Sequence, residues 1–348
     1  MDHHMGFVRV PGGKVAYSTL GRGPALVFPP AMLAQLGLEA DRVPMRDFDA
    51  VLANQFTVVR YDRLGTGFSD RGRPNQTVTL EAELDTIDAL VSELGLSTFN
   101  LFGYSYGGCV AAAYAVQHPE RVDRLVLFGS YANGAAIAPI EVQESILATF
   151  RAHWNLGSRV LTSLVVPGDE HNASRDFAQF QRQAVDGELA AAFLELCYRT
   201  DLRDQVGSIK APTLVLHRRH DQVSRLALGQ ELSALIPGAR MEILEGREHQ
   251  PWLGDWCAVL QAVDDFVGVA LPCHRSAGSG KDASRPTLTA REAEILGLVA
   301  AGLSDAQIAE RLYLSRHTVH RHVANIRTRL GEPSRAAAAA RATRLSLI

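Results

Sequence analysis

The sequence predicts a large α/β domain followed by a small all-α domain. Three observations support this prediction. Residues 99–119 have the order strand, Gly-x-Ser-x-Gly turn, helix; two later strand-like segments run directly into Asp221 and His249; and residues 288–330 have the start and stop signals of consecutive short helices. We therefore assign residues 1–269 to the α/β domain and residues 287–348 to the all-α domain.

Length and composition agree with two domains in one chain. The 348 residues are 47% hydrophobic, which allows each domain a core of its own. No apolar run approaches the roughly 20 residues of a membrane helix, and the start MDHHMGFVRV lacks the apolar stretch of a secretory signal. Four cysteines occur without CxxC spacing, which favours reduced thiols in a cytoplasmic protein: Cys109, Cys197, Cys257 and Cys273.

A linker and a change of charge separate the two domains. Residues 270–286 are rich in Gly, Ser and Pro and have no apolar periodicity, as expected of a flexible connection. Residues 285–348 contain ten Arg, no Lys and five acidic residues, a net charge of +5, so the −3 of the whole chain leaves −8 on residues 1–284. A basic carboxyl end suits a polyanionic partner, although a solvated helix surface would show the same balance.

The strongest local signal in the α/β domain is Gly103-Tyr104-Ser105-Tyr106-Gly107. The apolar FNLF at 99–102 precedes it as a buried strand, and GGCVAAAYAVQHP at 107–119 follows as a helix. Glycines flank the serine in such a turn because the backbone is strained and passes close to its neighbours. Between a strand and a helix the motif indicates a serine nucleophile at Ser105.

Two candidate partners for this serine follow at later strand ends. TLVLHRRHD at 213–221 is a strand that ends in Asp221, and RMEILEGREH at 240–249 is a strand that ends in His249. The order Ser, Asp, His is the one expected after such a turn. In this arrangement Ser105 attacks an acyl carbonyl, His249 takes and returns the proton, and Asp221 holds the imidazole in the required tautomer.

The all-α domain has signals for four short helices. Thr289 with Glu292 and Ser304 with Gln307 form two capping boxes. Ser315 caps a third helix, and Pro333-Ser334 opens a fourth. On the third helix one apolar side is expected to pack on the first two helices: Val319, Val323, Ile326 and Leu330 against Ile295, Val299, Ile308 and Leu312.

This carboxyl-terminal segment resembles the LuxR-type helix-turn-helix family over its whole length. The resemblance covers the LTxREAEIL opening, GLSDAQIA, LSxxTVxxHV and the GEPSRAAAA tail. It implies that His320 and Arg321 approach base edges, with His320 departing from the usual Lys, and that the remaining contacts are to phosphates: Arg316, His317, Thr318 and Arg327. It also implies a homodimer on double-stranded DNA; a structural helical bundle with a charged face is the alternative.

Residues 7–268 resemble the α/β-hydrolase superfamily in the order of their motifs, including RYDRLGTGFSD at 60–70. The resemblance implies a mostly parallel sheet, a helical lid at about 131–205, and an oxyanion hole made by the N–H of Tyr106 and an N–H from the loop after the early strand. That loop departs from the family because its His-Gly pair is replaced by Pro-Pro, and proline has no N–H. Met32 is therefore the candidate second donor and Ala31 the alternative.

The lid region contains aromatic residues that either line a pocket or pack a core: Phe150, Trp154, Phe177, Phe180 and Phe193. No motif for a metal, nucleotide or other cofactor is found, so we expect none. Three functions fit these features. They are a transcriptional regulator that senses and hydrolyses a small apolar ester or lactone, a regulator whose hydrolase fold only binds its ligand, and an esterase whose tail serves assembly.

Overall fold

The computed structural model describes residues 3–39, 43–71, 78–166, 171–269, 271, 290–312, 314–330, 332, 334–344 and 347. The chain divides into two compact units, Met1–Cys273 and His274–Ile348. The division falls within the segment interpreted above as a linker, most of which lies outside the described residues.

The first unit is built on one sheet. Its strands are β1 (His3–Val10), β2 (Gly13–Leu20), β3 (Ala25–Phe28), β4 (Thr57–Tyr61), β5 (Phe99–Tyr104), β6 (Val122–Phe128), β7 (Thr213–Arg218) and β8 (Arg240–Leu244). Their order in the sheet is β1-β2-β4-β3-β5-β6-β7-β8. β2 pairs antiparallel with both β1 and β4, and all other neighbours are parallel.

Helices cover both faces of this sheet. They are α1 (Leu36–Glu39), α2 (Val43–Leu52), α3 (Leu80–Glu93), α4 (Tyr106–Gln117), α5 (Ile140–Ala152), α6 (Trp154–Val165), α7 (His171–Ala184), α8 (Gly187–Arg199), α9 (Leu226–Leu235) and α10 (Trp256–Val267). Successive strand residues alternate between two cores, as the period of a strand requires. Thus Val27 and Leu101 pack with α3 and α4 on one face, whereas Leu26 and Phe102 pack with α2 and α10 on the other.

The strand order positions the functional site. β3 lies between β4, which follows it in the chain, and β5, so the chain changes direction across the sheet at β3. In open α/β sheets ligands bind outside the carboxyl ends of the strands at such a point. The segment after β3 and the turn after β5 meet there, and α5 to α8, inserted between β6 and β7, lie within the 131–205 range expected for the lid. The α/β class, the mostly parallel sheet and the helical lid are thus confirmed.

In the described part of the second unit there are four helices: α11 (Ala290–Ala300), α12 (Asp305–Arg311), α13 (Arg316–Leu330) and α14 (Arg335–Arg344). Val319, Val323 and Ile326 of α13 are buried in one core with residues of the three other helices, including Ile295 and Ile308. Thr289 and the side chain of Leu330 lie outside the described residues. No helix among the residues described combines the length and apolar composition needed to cross a lipid bilayer.

Candidate functional site

Ser105 occupies a strained turn between β5 and α4. Its φ is +54°, and within the described residues it is the one non-glycine residue with positive φ. A Cβ on Gly103 would lie 2.4 Å from the Cα of Gly108, and a Cβ on Gly107 would lie 2.3 Å from the carbonyl oxygen of Pro29. Both positions therefore need glycine, which explains the Gly-x-Ser-x-Gly pattern.

Asp221 and His249 are brought together at the ends of β7 and β8. Nδ1 of His249 lies 2.7 Å from Oδ2 of Asp221, and both side chains are buried. Oδ1 of Asp221 also accepts the N–H of Val223 at 2.9 Å and that of Ser224 at 3.2 Å. Burial alone would raise the pKa of Asp221, but the charge and hydrogen bond of His249 outweigh it and hold that pKa below its usual value. Asp221 therefore stays ionised and orients the imidazole.

His249 and Ser105 line the same cavity. Nε2 of His249, the atom that would accept the serine proton, is buried and has no hydrogen-bond partner in the described part of the chain. No hydrogen bond therefore joins the serine oxygen to this nitrogen among the described residues. Such contacts commonly tighten only when substrate is bound.

The segment after β3 is held by Arg63, a residue that the sequence analysis did not single out. The guanidinium donates to the carbonyl oxygens of Pro30, Ala31 and Met32, the last at 3.1 Å. It also forms a buried ion pair with Glu83. Because all three carbonyls accept from Arg63, this set of hydrogen bonds, called the Arg63 clamp below, fixes the backbone of the segment that lines the cavity beside Ser105.

The two N–H groups expected at an oxyanion hole are both near Ser105. Tyr106 is the first residue of α4, where an N–H has no partner within its own helix. Met32 and the alternative donor Ala31 both line the cavity with Ser105. No hydrogen bond from the Met32 N–H is found among the residues the structure describes.

A second buried arginine, Arg218 at the end of β7, holds the segment that contains His249. Its guanidinium donates to Oε2 of Glu248 at 2.7 Å and to the carbonyl oxygen of Leu253. Gly254 beside this pair has a φ of +62°, in the left-handed region that favours glycine. The sequence shows Arg218 only as a charged residue in an apolar strand, which was the one available sign of a buried partner.

The cavity is an apolar space of about 280 Å³ under the lid. Of the five aromatic residues proposed for it, Phe150 and Phe177 line it. The other three are not among its lining residues. Trp154 packs against Phe150, Phe180 stacks on Phe177, and Phe193 lies against the Arg63 guanidinium.

Other polar residues near the site have structural roles. Asp62 accepts the N–H groups of Leu36 and Phe68, which shapes the segment after β4. Burial raises its pKa to about 6 despite these bonds. Cys109 and Cys197 are free and buried, but Cys257 is disulfide-bonded, which corrects the expectation of four reduced thiols. Sequence spacing does not show which cysteines meet in space.

In the second unit, α13 is the helix expected to contact DNA. Its amino end is capped by Ser315, whose Oγ accepts the N–H of Thr318 at 3.0 Å. Six side chains are expected at DNA. Those of Arg316 and His320 are exposed, and those of Thr318 and Arg327 are half-buried. The side chains of His317 and Arg321 are outside the described part of the structure.

Contacts between helices fix the position of α13. Ser304 and Gln307 form the expected capping box at the start of α12. Asp305, the first residue of that helix, accepts from Arg335 of α14 at 2.7 Å, and Nδ1 of His320 lies 3.4 Å from the same carboxylate. Nδ1 of His320 therefore faces Asp305 of the same domain.

Comparisons with known proteins agree with these two units. A family model described as alpha/beta hydrolase fold matches residues 24–156, and a model of bacterial regulatory proteins of the luxR family matches residues 286–342. An uncharacterized protein of Mycobacterium tuberculosis is 27% identical over 295 residues, which are 76% of this chain and 82% of that protein. A 2-hydroxymuconate semialdehyde hydrolase of Pseudomonas putida is 28% identical over 236 residues, 62% of this chain and 79% of its own length.

The crystal structure of the enol-lactonase from Burkholderia xenovorans superposes with a TM-score of 0.63 at 27% identity, covering 76% of this chain and all of that one. The chain thus combines an α/β-hydrolase-fold domain with a LuxR-type helix-turn-helix domain. It is a DNA-binding regulator with a hydrolase-like domain.

Proposed function

We propose that this regulator responds to a neutral apolar ester or lactone that its hydrolase-fold domain binds and hydrolyses. The observation that carries the proposal is the preformed Asp221–His249 pair, 2.7 Å apart, beside Ser105 in an apolar cavity on a chain with a LuxR-type domain. The similarity to a protein named as an enol-lactonase supports an ester or lactone as the ligand class.

In the proposed reaction Ser105 Oγ attacks the carbonyl carbon and gives its proton to Nε2 of His249. The developing oxyanion accepts hydrogen bonds from the N–H groups of Tyr106 and Met32. His249 then returns the proton to the departing alcohol, which in a lactone remains attached to the acyl group. Water attacks the acyl-serine with the same help and releases the acid.

The second unit supplies the proposed output, binding to promoter DNA in the cytoplasm. We assign base contacts to His320 and Arg321 on α13. Phosphate contacts are assigned to the remaining four: Arg316, His317, Thr318 and Arg327. A homodimer bound to two half-sites is proposed, as is usual when one such helix reads one half-site.

A second candidate function keeps the regulator but removes the chemistry. The observation in its favour is that no hydrogen bond joins Ser105 to the free Nε2 of His249 in the part of the chain described. In this case the cavity binds the ester without hydrolysing it, and the ester dissociates unchanged. An esterase with a tail used for assembly is less well supported, because assembly does not require a basic helix-turn-helix unit.

A gel-shift experiment on the DNA upstream of the gene distinguishes these functions. Wild type and Ser105→Ala are compared on a panel of esters and lactones, with product release followed in parallel. If the regulator hydrolyses its ligand, Ser105→Ala should lower the hydrolysis rate by several orders of magnitude. The variant should still change its DNA binding when ligand is added, and this change should last longer than in wild type. Equal response lifetimes without product would establish the passive receptor, and absence of DNA binding at low salt would refute the regulator.

A further inference from the structure

An apolar groove lies on the outer surface of the lid, between α5 and α6. Its volume is about 350 Å³, and it is lined by Glu141, Val142, Ser145, Ile146, Thr149, Phe150 and Val160. Four of these residues also line the cavity that contains Ser105: Val142, Ile146, Phe150 and Val160. The same side chains therefore separate the cavity from the surface.

This partition is apolar and partly open to solvent. Val142 is 44% exposed and Val160 is 36% exposed, yet each also faces the cavity. Single exposed apolar residues are normal on soluble proteins. A pair on adjacent helices that lines both the cavity and the groove is different, because a chain that passes between the two side chains goes from one space to the other against apolar surface alone.

The path has almost no charge. Among the described residues, the cavity lining contains no Asp, Glu, Lys or Arg, and the groove lining contains one charged residue, Glu141. An anionic group along this path would find no cation among the lining residues. The path thus suits an uncharged hydrocarbon chain.

We propose, building on the function proposed above, that the ligand has a long apolar chain that passes through the lid. Its carbonyl lies at Ser105, the first part of the chain fills the cavity, and the distal part leaves between Val142 and Val160 to lie in the groove. The ligand class is therefore a neutral long-chain ester or lactone rather than a compact one.

Burial of each added methylene along the path should strengthen binding about fourfold. The gain continues past the length that fills the cavity and stops where the chain leaves the groove. A closed cavity would instead reject chains longer than its own depth, because overpacking an interior is unfavourable.

Two matched variants test the groove. Val142 and Leu156 each occupy the third position of a lid helix and are 44% and 50% exposed, but Leu156 lines neither the cavity nor the groove. An Asp at this position is compatible with a helix amino end. Val142→Asp and Leu156→Asp in the full chain therefore differ at the wall between the cavity and the groove rather than in the cost of a surface charge.

The measurement is hydrolysis of p-nitrophenyl acetate, octanoate and dodecanoate, with binding of methyl ketones from butanone to tridecanone by calorimetry. We expect wild type and Leu156→Asp to favour long chains equally. Val142→Asp should reduce the dodecanoate-to-acetate ratio of kcat/KM at least tenfold and weaken only the long ketones.

The outcomes separate this inference from the proposed chemistry. If no ester is cleaved but long ketones bind with the Val142 dependence, hydrolysis is wrong and the chain path stands. If chain-length preference is the same in both variants, or no ketone binds, the path is refuted. A change in oligomeric state of Val142→Asp without a change in chain preference would show that the groove is covered by a second copy, which also overturns it.

Discussion

Removal of Arg63 should separate folding from catalysis in this site. The guanidinium is 4% exposed and the paired Glu83 carboxylate 3%, so Arg63→Met leaves a buried charge without its partner. Breaking such a pair costs about 3–5 kcal/mol, a large share of the stability of a typical domain. Arg63→Met alone should therefore be strongly destabilised in urea unfolding.

The double variant Arg63→Met, Glu83→Met isolates the role of the Arg63 clamp. It removes both charges and leaves the carbonyls of Pro30, Ala31 and Met32 without the guanidinium, at about 1 kcal/mol each. The double variant should be more stable than Arg63→Met, because it no longer buries an unpaired carboxylate. The segment after β3 remains unclamped, so a misplaced Met32 N–H should lower kcat by about 10²–10³ with little change in KM for a short ester.

Arg60 provides a matched control. It forms a bidentate pair with Asp49 at 2.7 Å for both contacts, with 10% and 14% exposure, and its guanidinium lies over the ring of Phe28 in β3. Arg60→Met, Asp49→Leu also removes both charges of a pair, so it should change stability little and keep kcat. A folded Arg63→Met, Glu83→Met protein with wild-type kcat would refute the positioning role of Arg63.

Two further predictions concern other parts of the chain. The pKa of Asp62 is about 6 in the folded protein against 3.8 for the free side chain, so the folded state binds the proton more tightly. The contribution of Asp62 to the free energy of unfolding should therefore be greatest below pH 4 and be lost, by about 3 kcal/mol, as pH rises through 6. Urea titrations of wild type and Asp62→Asn should differ by this slope, and equal slopes in the two proteins would show that Asp62 is not its source. Ser304→Ala breaks the capping box of α12. It should destabilise that helix by about 1 kcal/mol. Amide exchange should then be roughly fivefold faster in α12 and unchanged in α5. Equal exchange rates in α12 of the two proteins would show that the cap does not stabilise this unit.

The features predicted well from the sequence are those set by local chemistry. Ser105 lies in a turn whose glycines are required within a few residues, and Asp221 and His249 each follow an apolar strand. Parallel strands end at the same edge of a sheet, so strand ends predict proximity without any knowledge of tertiary contacts. The Ser304 cap was visible for the same local reason.

The features missed depend on contacts between distant segments. Arg63 acts on carbonyls more than thirty positions earlier in the chain, and no local pattern marks that contact. The aromatic residues of the lid illustrate the same limit. Phe150 and Trp154 are four residues apart in the sequence but belong to different helices, α5 and α6. Phe150 lines the cavity, whereas Trp154 donates its indole N–H to the carbonyl oxygen of Val185.

Sensing and hydrolysis make opposite demands on the proposed site. A ligand changes DNA occupancy only if it binds two states of the protein with different affinity, and only while it stays bound. Nδ1 of His249 is held by Asp221, whereas its Nε2 has no hydrogen-bond partner among the described residues. Hydrolysis therefore requires the Ser105 hydroxyl to donate to this nitrogen. If hydrolysis is slow compared with binding, the ligand persists long enough to act on DNA before it is cleaved, and hydrolysis then sets the duration of the signal.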